Sequence, residues 1–95
     1  ERADPELIEK IRALVGRQDW VSGVNHVRTI HTAPKQVFVA ISADFDDAVT
    51  MGEGEQLIEE LEQSLRSEMP ELASIYIRPE KAENAALVPE KRKAK

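Results

Sequence analysis

The stretch VNHVRTIHTAPKQVFVAISADF, residues 24–45, decides how the rest of the chain must fold. It reads as two strands joined at Thr32-Ala33-Pro34-Lys35. In the second strand Val37, Val39, Ile41, Ala43 and Phe45 fall on alternate positions and share one face. Phe38, Ala40, Ser42 and Asp44 make up the other face, which is mixed rather than charged. The first strand alternates less cleanly. Val24, His26, Arg28 and Ile30 are expected on one side, and Asn25, Val27, Thr29 and His31 on the other. A short connection between the two makes an antiparallel hairpin the simplest pairing. A two-stranded hairpin alone is marginal in water, so the flanking sequence has to supply cover.

It does so on both sides. Upstream, Asp4 is placed to cap a helix that starts with Pro5, where a missing N–H costs nothing. Leu7, Ile8, Ile11, Leu14 and Val15 then follow at helical spacing, which predicts a helix over 5–15. Trp20 lies in the following loop and reads as a lid on one end of the core. Downstream, Thr50 and Glu53 have the spacing of a reciprocal capping box. Leu57, Ile58, Leu61, Leu65 and Met69 predict a second helix over 53–69 that ends before Pro70. Gly52 and Gly54 are expected to weaken its first turn. Residues 72–78, LASIYIR, predict a third strand, with Ala73, Ile75 and Ile77 on one face and Leu72, Ser74, Tyr76 and Arg78 on the other. Residues 81–95 lack periodicity and are rich in charge and alanine, so a flexible charged tail is expected after a single domain at 1–80.

The predicted order is α-β-β-α-β. Two helices covering one face of a three-stranded sheet make a two-layer α+β domain. The other face has no predicted cover, yet Phe38, Ala40, Val27 and Tyr76 are candidates for it, so a partner surface is expected there.

Composition narrows the function. A chain of 95 residues, 41% of them apolar, builds only a small core, and self-association is a natural source of further stability. The chain has no cysteine, which excludes disulfides and thiolate metal sites. A formal net charge of −5 argues against nucleic acid. No apolar run approaches the ~18 residues of a membrane span, so this stretch does not itself insert into a membrane. The first residue is Glu1 rather than methionine, and a piece of a longer protein is the expectation. No coherent nucleophile and base, and no phosphate-binding glycine loop, can be read, so no enzyme is expected. The metal donors that remain are His26, His31, Asp46 and Asp47. The two histidines are expected on opposite faces of one strand, and Asp44, Asp46 and Asp47 read as a solvated acidic corner.

Three stretches carry a resemblance. ADPELIEKIRAL, VSGVNHVRT and SIYIRPE resemble, in order and spacing, the start, first strand and last strand of the cytoplasmic C-terminal domain of cation diffusion facilitator transporters. The likeness covers residues 1–80. It implies a ferredoxin-like, metallochaperone-like domain that forms a homodimer on the cytoplasmic side of the cell membrane. It also implies attachment to the chain's own transmembrane domain, which exports zinc or a similar divalent cation. The metal is then cargo, and no cofactor is expected in this domain. The family's metal-binding positions fall by spacing at Asn25, Ile41, Gly54, Tyr76 and Arg78, so its usual sites do not carry over. His26, one place from Asn25, is expected to point away from where the family's histidine points. The alternative reading is a free-standing ferredoxin-like regulatory domain that binds a small ligand at a dimer interface.

Overall fold

The computed structural model describes residues 4–33 and 36–85. Helix α1 spans Pro5–Gly16, strand β1 Val21–Ala33, β2 Gln36–Phe45, helix α2 Met51–Glu68 and β3 Leu72–Pro79. The strands form one sheet in the order β1-β2-β3. β1 and β2 run antiparallel, whereas β3 runs parallel to β2. Both helices lie on one face, α1 over β1 and α2 over β3. The result is a slab of 36 × 35 × 18 Å between Cα atoms.

Between the layers, Ile11, Val15, Val39, Ile41, Leu65 and Leu72 are almost fully buried. The inward face of β2 is the one its alternation predicts: Val37, Val39, Ile41 and Ala43 are all within the core. Trp20 closes one end. Its ring meets Phe45 edge-on, with centroids 5.0 Å apart, a favoured aromatic geometry.

The outer strands depart from simple alternation because both are bulged. β1 has 13 residues and β2 has 10, and register shifts at Val21/Gly23, Val24/His26 and His31/Ala33 absorb the excess. Each bulge adds one residue and reverses the facing of the residues beyond it. Val24 therefore pairs with Ala43 and packs on the core, not with the His26 face as its position predicts. Val27 pairs with Ile41 and also faces inward, so it is no part of the open face. A shift beside Val37 acts the same way on β3, where Leu72 pairs with Val37 and Ser74 with Phe38. Leu72 is consequently in the core and Ala73 is exposed, the reverse of the strict period-two reading.

α2 begins at Met51, two residues before the predicted start. The Glu53 amide donates to Thr50 Oγ1 (3.2 Å) and the Thr50 amide to Glu53 Oε1 (3.0 Å). Satisfying both free donors firms the turn that the glycines were expected to loosen. Gly52 has no neighbour within 4 Å of an added Cβ. Gly52→Ala is thus expected to stabilise the domain by about 1 kcal/mol and to raise its melting temperature by roughly 4–8 °C, read by circular dichroism.

The expected tail does not begin at residue 81. The chain forms a helical turn at 82–85 and lays Ala85 down with 2% exposure. Ala85 is outside the core between helices and sheet. The rest of the expected tail, 86–95, lies outside the described residues.

Candidate functional site: the open face of the sheet

The side of the sheet away from the helices is built in three cross-strand rows. Ile30, Phe38 and Ser74 form the first, Arg28, Ala40 and Tyr76 the second, and His26, Ser42 and Arg78 the third. Cross-strand partners project to the same side, so these nine side chains make one surface. Ile30 is 62% exposed, Phe38 40% and Tyr76 68%. With Met51, which lies on the helix side, they are the exposed large apolar residues among the described residues. Arg28 and Arg78 flank the apolar strip.

In the third row His26 and Ser42 are covered by residues 80–85, while Arg78 stays exposed. The Glu80 amide continues the sheet by donating to the Ala43 carbonyl (2.8 Å). Ser42 Oγ donates to Glu80 Oε1 at 2.6 Å. Asn25 Nδ2 donates to both Ser42 Oγ (3.1 Å) and the Glu80 carbonyl (3.0 Å). The Ala82 amide donates to Asp44 Oδ2 (3.1 Å), and His26 Nε2 lies 3.4 Å from the Ala85 carbonyl. Lys81 pairs with Asp47. That hydrogen bond, aided by the Asp47 and Asp44 charges, holds the Lys81 ammonium pKa above the ordinary lysine value. Both partners are largely exposed, so the pair adds little stability.

The donors singled out in the sequence are dispersed. His26 lies on the open face beneath residues 80–85. His31 lies on the helix side, where it borders a cleft with Asp4, Leu7, Val37, Pro70 and Glu71. Its Nε2 is buried with no hydrogen-bond partner among the described residues. Asp46 Oδ1 accepts from the Ala48 amide at 2.8 Å. Asp46 and Asp47 both border a cleft of about 420 Å³ at the start of α2, floored by Phe45, Val49 and Ile58. Among the described residues no group of three or more His, Asp or Glu side chains is arranged to hold a metal.

The positions at which the resemblance places metal ligands are no better supplied. Ile41 is sealed in the core, Gly54 is buried at the start of α2, and Asn25 spends its amide on Ser42 and Glu80. Tyr76 and Arg78 project from the open face. One expectation about this region is corrected. Asn25 and His26 do not point to opposite sides, because the bulge at Val24/His26 turns both toward the open face, where each meets the 80–85 segment.

Solved structures with this architecture include a nickel form of a MamM CTD variant, at a TM-score of 0.74 and 15% identity over 82% of this chain and 98% of that one. The MamM CTD itself aligns at 0.73 with 16% identity, over 81% and 96%. A zinc form of another variant aligns at 0.72 with 16% identity, over 81% and 84%. The fold is therefore that of these ferredoxin-like C-terminal domains. Residues 3–82 match the family model described as cation efflux protein, cytoplasmic domain, and the chain belongs to that family. No curated protein sequence matches the chain. No helix among the described residues is long and apolar enough to cross a membrane.

Proposed function

We propose that this domain is the dimerisation and regulatory unit of a divalent-cation efflux transporter of zinc-like substrate, held by its own transmembrane domain at the cytoplasmic side of the membrane and without enzymatic activity. One observation carries the dimer reading: the exposed patch of Ile30, Phe38 and Tyr76 on the side of the sheet opposite α1 and α2. A single-domain chain gains little by leaving such a strip in water. The broad face of a 36 × 35 Å slab has room for the ~800 Å² per partner of an ordinary stable interface. The occupant that a homo-oligomer supplies is the same face of a second copy, related by a two-fold axis. Sedimentation of the isolated domain at micromolar concentration tests this. The expected species has twice the 10.7 kDa chain mass, and a monomer at high concentration would overturn the reading.

The cation is cargo for the membrane part, and regulation by this domain rests on the geometry of the pair rather than on metal bound at the usual family positions. Nickel and zinc forms of MamM CTD variants make metal binding here worth testing. The chemistry of this chain opposes it. A zinc site needs about four convergent N, O or S donors. Isoleucine and glycine offer none, an amide and a neutral phenol are poor ligands, and the Arg78 guanidinium brings like charge. Calorimetric titration of the tag-free domain with zinc is expected to show only weak, non-stoichiometric uptake. Submicromolar binding that is lost in His26→Ala would contradict this.

A further inference from the structure

A route through the sheet joins the helix layer to the open face. Arg12, on α1, reaches the β1 backbone, donating from Nη1 to the Val24 carbonyl (3.1 Å) and from Nη2 to the Asn25 carbonyl (3.3 Å). Those two carbonyls belong to the bulge between Val24 and His26. A bulge interrupts the ladder and leaves backbone groups in need of other partners. The guanidinium fork satisfies two of them at once, which a lysine cannot do in the same way. The bulge in turn aims the Asn25 side chain at Ser42 and Glu80. Glu80 is where the chain leaves β3 to run across the open face.

We infer that the Arg12-bridged bulge is a coupling element, by which the seating of α1 on β1 sets whether residues 80–85 stay docked over the open face. With the bulge held, Asn25 and Ser42 tie down Glu80, and Ala85 is buried beside His26. Without the fork the bulge loses two backbone partners, and the backbone that aims the Asn25 side chain at Ser42 and Glu80 is no longer held in place. The ties that remain are the Glu80 amide to the Ala43 carbonyl, Ser42 to Glu80, His26 against the Ala85 carbonyl, and the exposed Lys81–Asp47 and Ala82–Asp44 pairs, and the segment opens more often once Asn25 no longer adds to them. Opening of the segment uncovers His26 and Ser42 in the third row of the open face. A shift of α1 is thereby converted into a change in the extent of that surface. The inference holds whatever occupies the surface.

Amide hydrogen exchange, followed residue by residue by NMR in the full chain, tests it. The reporters are Glu80, Ala82 and Ala85 for the segment and Val39 and Ile41 for the core. In Arg12→Met, exchange at the three segment amides is expected to accelerate at least tenfold more than at the core amides. Arg12→Lys keeps the charge but not the fork, and is expected to do the same to a smaller degree; it also serves if the methionine variant folds poorly. Asn25→Ala is expected to reproduce the effect with α1 unchanged. The double variant Arg12→Met/Asn25→Ala is expected to accelerate no further than the stronger single one, since both break one chain of contacts. Segment exchange that is unaltered in both Arg12 variants, acceleration that is equal at segment and core, or fully additive effects would each overturn the coupling.

Discussion

Ile41→Asp is expected to abolish cooperative folding at neutral pH. Ile41 lies on the central strand between Val27 and Ile77, with 2% of its surface exposed. Truncating a buried isoleucine costs about 2–5 kcal/mol, and a carboxyl placed there finds no polar partner among its apolar neighbours. The acid escapes part of the charge penalty by remaining protonated, so its folded pKa rises above the unfolded value of about 3.9. The unfolded chain then gains by ionising as pH rises past that value, and the variant loses stability progressively above it. Together these losses rival the roughly 5–14 kcal/mol that a domain of this size possesses. Urea melts between pH 3.5 and 7.5 should show the variant least destabilised, relative to wild type, at the acid end. Ile41→Asn, which cannot ionise, should show a deficit that does not grow with pH. A normally stable Ile41→Asp at pH 7 would mean that the inner face of β2 has been misassigned.

The second large effect is on association. Phe38→Asp/Tyr76→Asp is expected to weaken the dimer at least 100-fold while leaving the fold intact. Both side chains project from the open face and lie outside the core, so the monomer still folds without them, with some loss where Phe38 is part-buried. In a two-fold interface each substitution occurs twice, and the new carboxylates must be desolvated against a symmetry-related surface. Losing buried aromatic anchors alone costs upward of about 2 kcal/mol apiece. Sedimentation equilibrium measures the shift, and a circular dichroism melt of the monomer checks the fold. Met51→Asp is the matched control: Met51 is 83% exposed but sits on the helix side, so its replacement should leave association unchanged. An unaltered dimer in the double variant would place the interface elsewhere.

Periodicity made the middle of the molecule legible and failed toward its edges, for one physical reason. β2 pairs on both sides, so its alternation survives intact from Val37 to Ala43. β1 and β3 each pair on one side and tolerate extra residues. Nothing in the letters around Val24 or Leu72 announces that an extra residue is there, and each bulge exchanges inside for outside. The capping box at Thr50 and Glu53 is local and was readable. The anchoring of residues 80–85 was not, because Asn25, Ser42 and Asp44 lie far from Glu80 and Ala82 in sequence, and no spacing rule links them. The candidate metal donors show the same limit. His26 and His31 could be assigned to opposite sides of one strand, but what each would meet there could not.

The three bulges of β1 also bear on how many copies can come together. An edge strand with a regular row of free amides and carbonyls invites another strand to add, and then another, into an open ribbon. Here one border of the sheet is broken at Val21/Gly23, Val24/His26 and His31/Ala33, and the other ends in Pro79, which has no amide to donate. Lateral growth is discouraged along one border and stopped at the end of the other. Of the two broad faces, the helices occupy one. Among the described residues the open face is the remaining apolar surface, and the proposed pairing consumes it. Assembly through the face proposed for dimerisation would therefore stop at a pair, with no path to filaments.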